Sequence, residues 1–192
     1  MRKLKLQMQM TINGYVGGPN GENDWMTWNP DDEFITFMSS LLDTSDTLLL
    51  GRKLAEGGFI EFWENTADKN PGHPFAKKIA ALPKLVFTKT LDKATWNNTS
   101  LAKGNLAEEI ASLKKSGNGG SKDILVFGVA NFVSSLIKEK LIDEYHLIIN
   151  PTAMGNGMTI FNTLDSIQKF TPLQSKLYPG GKTVLSFKPK EG

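Results

Sequence analysis

Hydrophobic and polar positions alternate at the start of the chain. Leu4, Leu6, Met8 and Met10 fall on one side of Met1–Met10 and Lys3, Lys5, Gln7 and Gln9 on the other, which predicts a β-strand. Asn13 to Pro30 then holds four glycines and two prolines. That composition predicts a long loop, and loops of this length inside compact domains are often functional. Trp25, Met26 and Trp28 predict that part of it packs down. Asn29-Pro30 predicts a helix start, with Asn29 as cap, Pro30 in the first helical position and Asp31, Asp32 and Glu33 opposing the dipole. Phe34, Phe37, Met38, Leu41 and Leu42 repeat at helical spacing and supply its buried face.

Thr47–Leu50 is a short apolar run that predicts a buried strand. A helical pattern starts at Gly51 or Arg52 and carries Leu54, Phe59 and Trp63, interrupted at Gly57-Gly58. Residues 75–82 predict a short helix closed by Pro83. Lys84–Thr88 and Thr95–Leu101 predict strands, and Asn105 caps a helix bearing Leu106, Ile110 and Leu113. Residues 115–122 read as a surface loop. Ile124–Phe127 predicts a buried strand running through Gly128 into a helix with Phe132, Val133, Leu136 and Ile137. Asp143–Asn150 predicts a strand, 151–157 a loop, and 167–178 with 182–188 a closing hairpin around Pro179-Gly180-Gly181. Strands alternating with helices predict an α/β layer architecture, mostly parallel, with an antiparallel hairpin at the end. No repeat or linker divides the 192 residues, so a single domain is expected.

Composition narrows the function classes. There is no cysteine, which excludes disulfides and thiolate chemistry. His73 and His146 share no ligand spacing, so no metal is expected, and His146 in its apolar strand reads as a core histidine. No apolar run approaches the ~18 residues of a membrane span. A cytoplasmic location is expected. The net charge is +2, from 22 basic and 20 acidic residues mixed along the chain, which gives no case for nucleic acid or membrane as partner. The glycine motifs of Walker ATPases and Rossmann dehydrogenases are absent, as are the nucleophile elbow and the zincin helix.

Three strand ends remain as places for chemistry. In Leu48-Leu49-Leu50-Gly51-Arg52-Lys53 a buried strand stops at a glycine and two cations open the next helix. Helix starts attract anions, whereas cations there oppose the dipole, so an anionic ligand is one reason for them. The guanidinium of Arg52 suits a phosphate because it donates in a planar fork. A plain connection with two solvated cations explains the same residues. Val126-Phe127-Gly128-Val129-Ala130-Asn131 repeats the strand–glycine–helix pattern, either for a pyrophosphate or for tight packing. Phe87-Thr88-Lys89 ends a third strand. The acidic cluster Asp31-Asp32-Glu33 is a candidate to orient a substrate and Phe37 to stack on it; helix capping and core packing account for the same residues.

Together these segments resemble the dihydrofolate reductase-like fold, and within it the RibD C-terminal domain family, the reductase part of riboflavin biosynthesis. The resemblance is carried by Met10–Val16 with Gly21, Asp46–Arg52, Val86–Lys89, Ile124–Gly128, Leu141–Leu147 and Pro151–Gly157. It implies a three-layer domain with a mostly parallel central sheet, NADPH as cofactor, and a homodimer. It implies that Gly51, Arg52, Lys53, Thr88 and Lys89 hold the adenosine 2′-phosphate side. Gly128, Val129, Ala130 and Asn131 would lie under the pyrophosphate, and Thr11, Asn13 and Gly14 beside the nicotinamide. Glu33 or Asp32 would serve catalysis, with Trp25 and Phe37 facing an aminouracil-ribosyl or pterin-type substrate. Two positions depart from the family: Val129 replaces a second glycine, and Asn13 replaces an aspartate. A non-catalytic nucleotide-binding protein is the alternative, and an α/β domain without cofactor a third reading.

Overall fold

The computed structural model describes residues 1–116 and 122–190. The predicted loop at 115–122 therefore lies mostly outside the described residues, although helical structure reaches Lys115. The chain forms two compact units. One comprises Met1–Arg2 with Ile35–Phe127, the other Lys3–Phe34 with the chain from Gly128 onward.

In the first unit four parallel strands lie in the order β4-β3-β2-β5: β2 (Ser45–Gly51), β3 (Lys84–Phe87), β4 (Thr99–Ala102) and β5 (Asp123–Phe127). Leu48, Leu49, Leu50, Val86, Ile124, Leu125 and Val126 are fully buried. Such unbroken apolar runs are what parallel strands covered on both faces require. Register aligns the strand ends, with Gly51 beside Phe87 and Leu50 beside Phe127.

In the second unit β1 (Leu4–Thr11) pairs in parallel with β6 (Glu144–Asn150). β6 pairs antiparallel with β8 (Thr183–Pro189), and β8 with β7 (Phe170–Leu177). The closing hairpin and the mostly parallel α/β class are as expected. β1 departs from the usual meaning of an alternating pattern, because its polar side is covered too. Lys5 and Gln7 are buried, and Lys5 lies 3.9 Å from Glu144 on the neighbouring strand.

The helices are α1 (Asp32–Asp43), α2 (Arg52–Glu56), α3 (Phe59–Lys69), α4 (Pro74–Ala81), α5 (Leu106–Lys115) and α6 (Ala130–Lys138). α1 starts later than the Asn29-Pro30 signal predicts. Its cap is Asp31, whose Oδ1 accepts the N–H of Phe34 at 2.9 Å, while Oδ2 accepts the N–H of Gly180 at 2.7 Å. Tertiary contact with the β7–β8 turn thus fixes the start. The single helix expected after Gly51 is two, because Gly58 sits at φ +86 and breaks it. The fourth strand is shorter than predicted and begins at Thr99. Asn105 caps α5 as predicted, accepting from the N–H groups of Ala107 and Glu108 at 3.0 and 3.2 Å.

Candidate functional site

In the first unit the candidate groups gather at the carboxyl ends of β2 and β3. Gly51 closes β2 and occupies the cap position of α2, where no side chain fills the hydrogen-bonding capacity of the first turn. Those N–H groups suit an anion. Arg52 follows, half-exposed, its Nη1 donating to Glu56 Oε2 at 2.5 Å. In this pair the cation stands at the helix N-terminus and the carboxylate at the C-terminus, both against the dipole. The pair therefore adds little stability, and a phosphate can take the place of Glu56. Lys53 and Lys89 are exposed. Thr88 is buried, and its Oγ1 accepts the N–H groups of Thr90 and Leu91 at 3.1 and 3.0 Å, turning the chain away from β3.

In the second unit β1 ends at the fully buried Thr11. Its Oγ1 donates to Asn13 Oδ1 and accepts the N–H of Tyr15, each at 2.9 Å, while its N–H reaches Tyr15 O at 2.8 Å. Gly14 takes φ +89 within this turn. Asn13 then fastens the loop to the segment after β6. Its Nδ2 donates to Met154 O at 2.7 Å and its Oδ1 accepts Met154 N–H at 3.3 Å. Gly17 and Met158 extend the clamp as an antiparallel bridge, and a Cβ on Gly157 would lie 2.4 Å from Gly17 O.

The turn into α6 has a packing reason for its glycine. A Cβ on Gly128 would lie 2.7 Å from Val133 Cγ2 and 3.3 Å from Phe132 Cδ1. Val129 holds the cap position at φ −92, ψ 163, ordinary extended backbone, with no side-chain cap. Ala130 is buried and Asn131 exposed at the first turn. Of the acidic candidates, Asp32 is exposed, and Glu33 accepts from Lys176 Nζ at 2.7 Å. Trp25 is buried, its Nε1 donating to Glu22 O at 3.1 Å, and Phe37 is half-buried. Asp31, the first member of that acidic cluster, is committed to capping α1 and to the Gly180 N–H. Burial opposes its charge, but the N–H groups of Phe34 and Gly180 outweigh that and hold the carboxyl below its ordinary range. Among the described residues no group of histidine and carboxylate side chains is arranged to hold a metal ion.

The model of the RibD C-terminal domain family matches residues 2–184. The chain belongs to this family. Similar proteins include YyaP of Bacillus subtilis strain 168, itself uncharacterized, 32% identical over 164 residues, covering 83% of this chain and 80% of YyaP. YwjB of the same organism, also uncharacterized, is 26% identical over 172 residues, 88% and 87% of the two chains. Among solved structures, a provisionally named riboflavin biosynthesis protein from Shewanella sp. PV-4 superposes with a TM-score of 0.70 at 22% identity, covering both chains in full. RibD from Acinetobacter baumannii gives 0.67 at 15% identity, covering this chain in full and 59% of its own. At these identities the structures establish the fold: this RibD C-terminal domain protein has the mixed α/β architecture of the riboflavin-pathway reductase-like proteins. No helix among the described residues is long and apolar enough to cross a membrane.

Positions 13 and 129, where departures from the family are expected, each suit the residue present. Asparagine at position 13 both donates to and accepts from Met154, which an aspartate cannot do. The backbone at Val129 needs no glycine, since its φ is negative. Local patterns in this RibD C-terminal domain protein did not reveal Asn150, which ends β6, or Lys182, which precedes β8, both buried polar groups. The available signal was an asparagine ending an apolar strand, which usually reads as a loop residue.

Proposed function

We propose that the protein is an NADPH-dependent reductase acting on a small heterocyclic substrate of aminouracil-ribosyl or pterin type. One observation carries the reading: the strands that precede the candidate cofactor residues, β1, β2, β3 and β5, all belong to parallel pairs and present those residues at their carboxyl ends. Ligands of α/β sheets bind at that end. The family match and the solved relatives add support; one of them, from Thermotoga maritima, is named a deaminase and 5-amino-6-(5-phosphoribosylamino)uracil reductase.

NADPH, when bound, supplies the hydride. The chain's residues bind and orient. Arg52, with Lys53 and Lys89, neutralises the 2′-phosphate, and the uncapped first turns of α2 and α6 offer N–H groups to further phosphate oxygens. Thr88 shapes the strand end beside Arg52. Thr11, Asn13 and Gly14 hold the loop at the nicotinamide. Glu33 or Asp32 meets a substrate N–H, with Trp25 and Phe37 as apolar walls. The protein is a cytoplasmic homodimer in this reading.

Thermal unfolding tests it. NADPH raises the Tm more than NADH, and Arg52→Ala removes most of the difference. At 100 times the Kd the stabilisation is about 2.7 kcal/mol. Equal shifts from the two cofactors would remove Arg52 from a 2′-phosphate site. Tight NADPH binding without turnover on pterins and aminouracils would favour a binding protein of the same fold.

A further inference from the structure

Two lysines lie fully buried, and they differ in how they are satisfied. Lys84 donates from Nζ to the carbonyls of Ala80 and Leu82 at 2.9 and 3.0 Å, closing the C-terminal end of α4. That is a structural use of a buried cation. Lys182 is only 2% exposed, yet among the described residues its Nζ makes a single hydrogen bond, to Asn150 Oδ1. Nζ also lies over the face of Phe34, 5.8 Å from the ring centroid. No carboxylate pairs with it among the described residues, and burial draws its pKa down. An ammonium has three donors, and burying it without an anion is costly.

The place is specific. Ile149 pairs with Thr183, so Lys182 stands level with Asn150 at the carboxyl end of β6, where the parallel β1–β6 pair ends. Asn150 is rigidly held: it is fully buried, and its Nδ2 donates to Gln9 Oε1 at 2.8 Å, with longer contacts to the carbonyls of Met10 and Ile148. Its Oδ1 also receives the Thr27 hydroxyl, in a long bond of 3.3 Å. Gly181, at φ +86, and the bond from Tyr178 N–H to Lys182 O fix the turn that delivers the lysine.

We propose that Lys182, presented by Asn150, is a ligand-binding group whose spare donors take an oxygen carrying full or partial negative charge, either a phosphate oxygen or a ring carbonyl. The ligand displaces Thr27 to reach it. The inference deepens the reductase reading by naming the group that meets the substrate, and rests on that reading only in calling the ligand the substrate.

The test uses the full chain without NADPH, so that failure of cofactor binding is a separate result. Inorganic phosphate and uracil are the two probes, read by Tm in wild type, Lys182→Met, Lys182→Arg and Arg52→Ala. Uracil alone raising the wild-type Tm points to a ring carbonyl, phosphate alone to a phosphate group. For uracil, Lys182→Met loses the shift, Lys182→Arg keeps part of it and Arg52→Ala keeps it whole; for phosphate, which the Arg52 turn also attracts, the shift that remains in Arg52→Ala is lost when Lys182→Met is added and partly kept when Lys182→Arg is added. The unliganded Lys182→Met protein melts no lower than wild type, because an under-satisfied buried charge has been replaced by an apolar chain. Failure of both probes to shift the wild type, an undiminished shift in Lys182→Met, or a lower Tm in that variant would overturn the proposal. Should Lys182→Met not fold, acetylation mapped by mass spectrometry decides on the wild type. Lys182 is modified and the effective probe protects it; a lysine that never reacts, or reacts equally with probe, overturns the assignment.

Discussion

Asn13 holds the loop after β1 through both ends of its amide. Nδ2 donates to Met154 O, and Oδ1 accepts from Met154 N–H and from Thr11 Oγ1. An aspartate keeps the acceptor and sets a carboxylate against a carbonyl oxygen. Asn13→Asp is therefore expected to lose about 1 kcal/mol, one net hydrogen bond. For a chain of this size that lowers the Tm by about 2–4 °C. Faster amide exchange at Met154 would mark the clamp as the cause, and an unchanged Tm with unchanged exchange would show that Asn13 contributes nothing there. The sequence singled out position 13 as a candidate, with an expected departure from its family. The partner that its amide holds lies 141 residues away, beyond the reach of any local pattern.

At the scale of elements, the Gly51–Lys69 segment shows how local signals and tertiary context divide the outcome. Apolar spacing predicts one interrupted helix, and Gly58 at φ +86 makes it two. The break leaves Arg52 and Lys53 on a helix of five residues, at the end of β2. Gly58→Ala has open space for its Cβ but a left-handed backbone to maintain. The expected loss is about 1–2 kcal/mol from that backbone conformation. Chemical denaturation measures it, with the midpoint falling and the m-value unchanged. A midpoint equal to wild type would show that the α2–α3 junction relaxes freely. The start of α1 shows the converse case. Asn29-Pro30 is a good local start signal, but Asp31 reaches both Phe34 and Gly180, and a Cβ on Gly180 would lie 2.5 Å from Asn29 O. A contact across 149 residues outweighs the nearby sequence signal.

For the molecule as a whole, His146, Asp31 and Tyr145 set the direction of its pH dependence. Burial brings His146 down to about 4, against the opposing effect of Glu144, with Lys5 adding to the depression. Ser186 Oγ lies 2.9 Å from its Nδ1. Below pH 6.5 the unfolded chain therefore takes up a proton that the folded chain refuses. Stability falls as pH drops from about 6.5 to 4, by up to about 3 kcal/mol. The depressed carboxyl of Asp31 adds a loss of the same sign at lower pH. At the alkaline end burial raises Tyr145, so the unfolded chain loses its phenolic proton first and stability falls again above about pH 10. The Tm is expected to hold between about pH 7 and 9 and to decline on acidification. His146→Gln, which still hydrogen-bonds but does not titrate, flattens the decline between pH 6.5 and 4. An unflattened decline would assign it to other groups.

The sequence by itself determined the α/β class, the closing hairpin, the family and the strand ends that carry Gly51, Arg52, Thr88 and Gly128. Those follow from side-chain periodicity and from glycine and capping chemistry, all of which act within a few residues. Only the tertiary structure decided that the polar side of β1 is buried, that Asp31 caps α1, that Asn13 clasps Met154, and that Lys182 stands buried against Asn150. Each depends on a hydrogen bond or a covering surface supplied from far along the chain. Burial of a polar group is a property of its neighbours, and the neighbours are assembled by the fold.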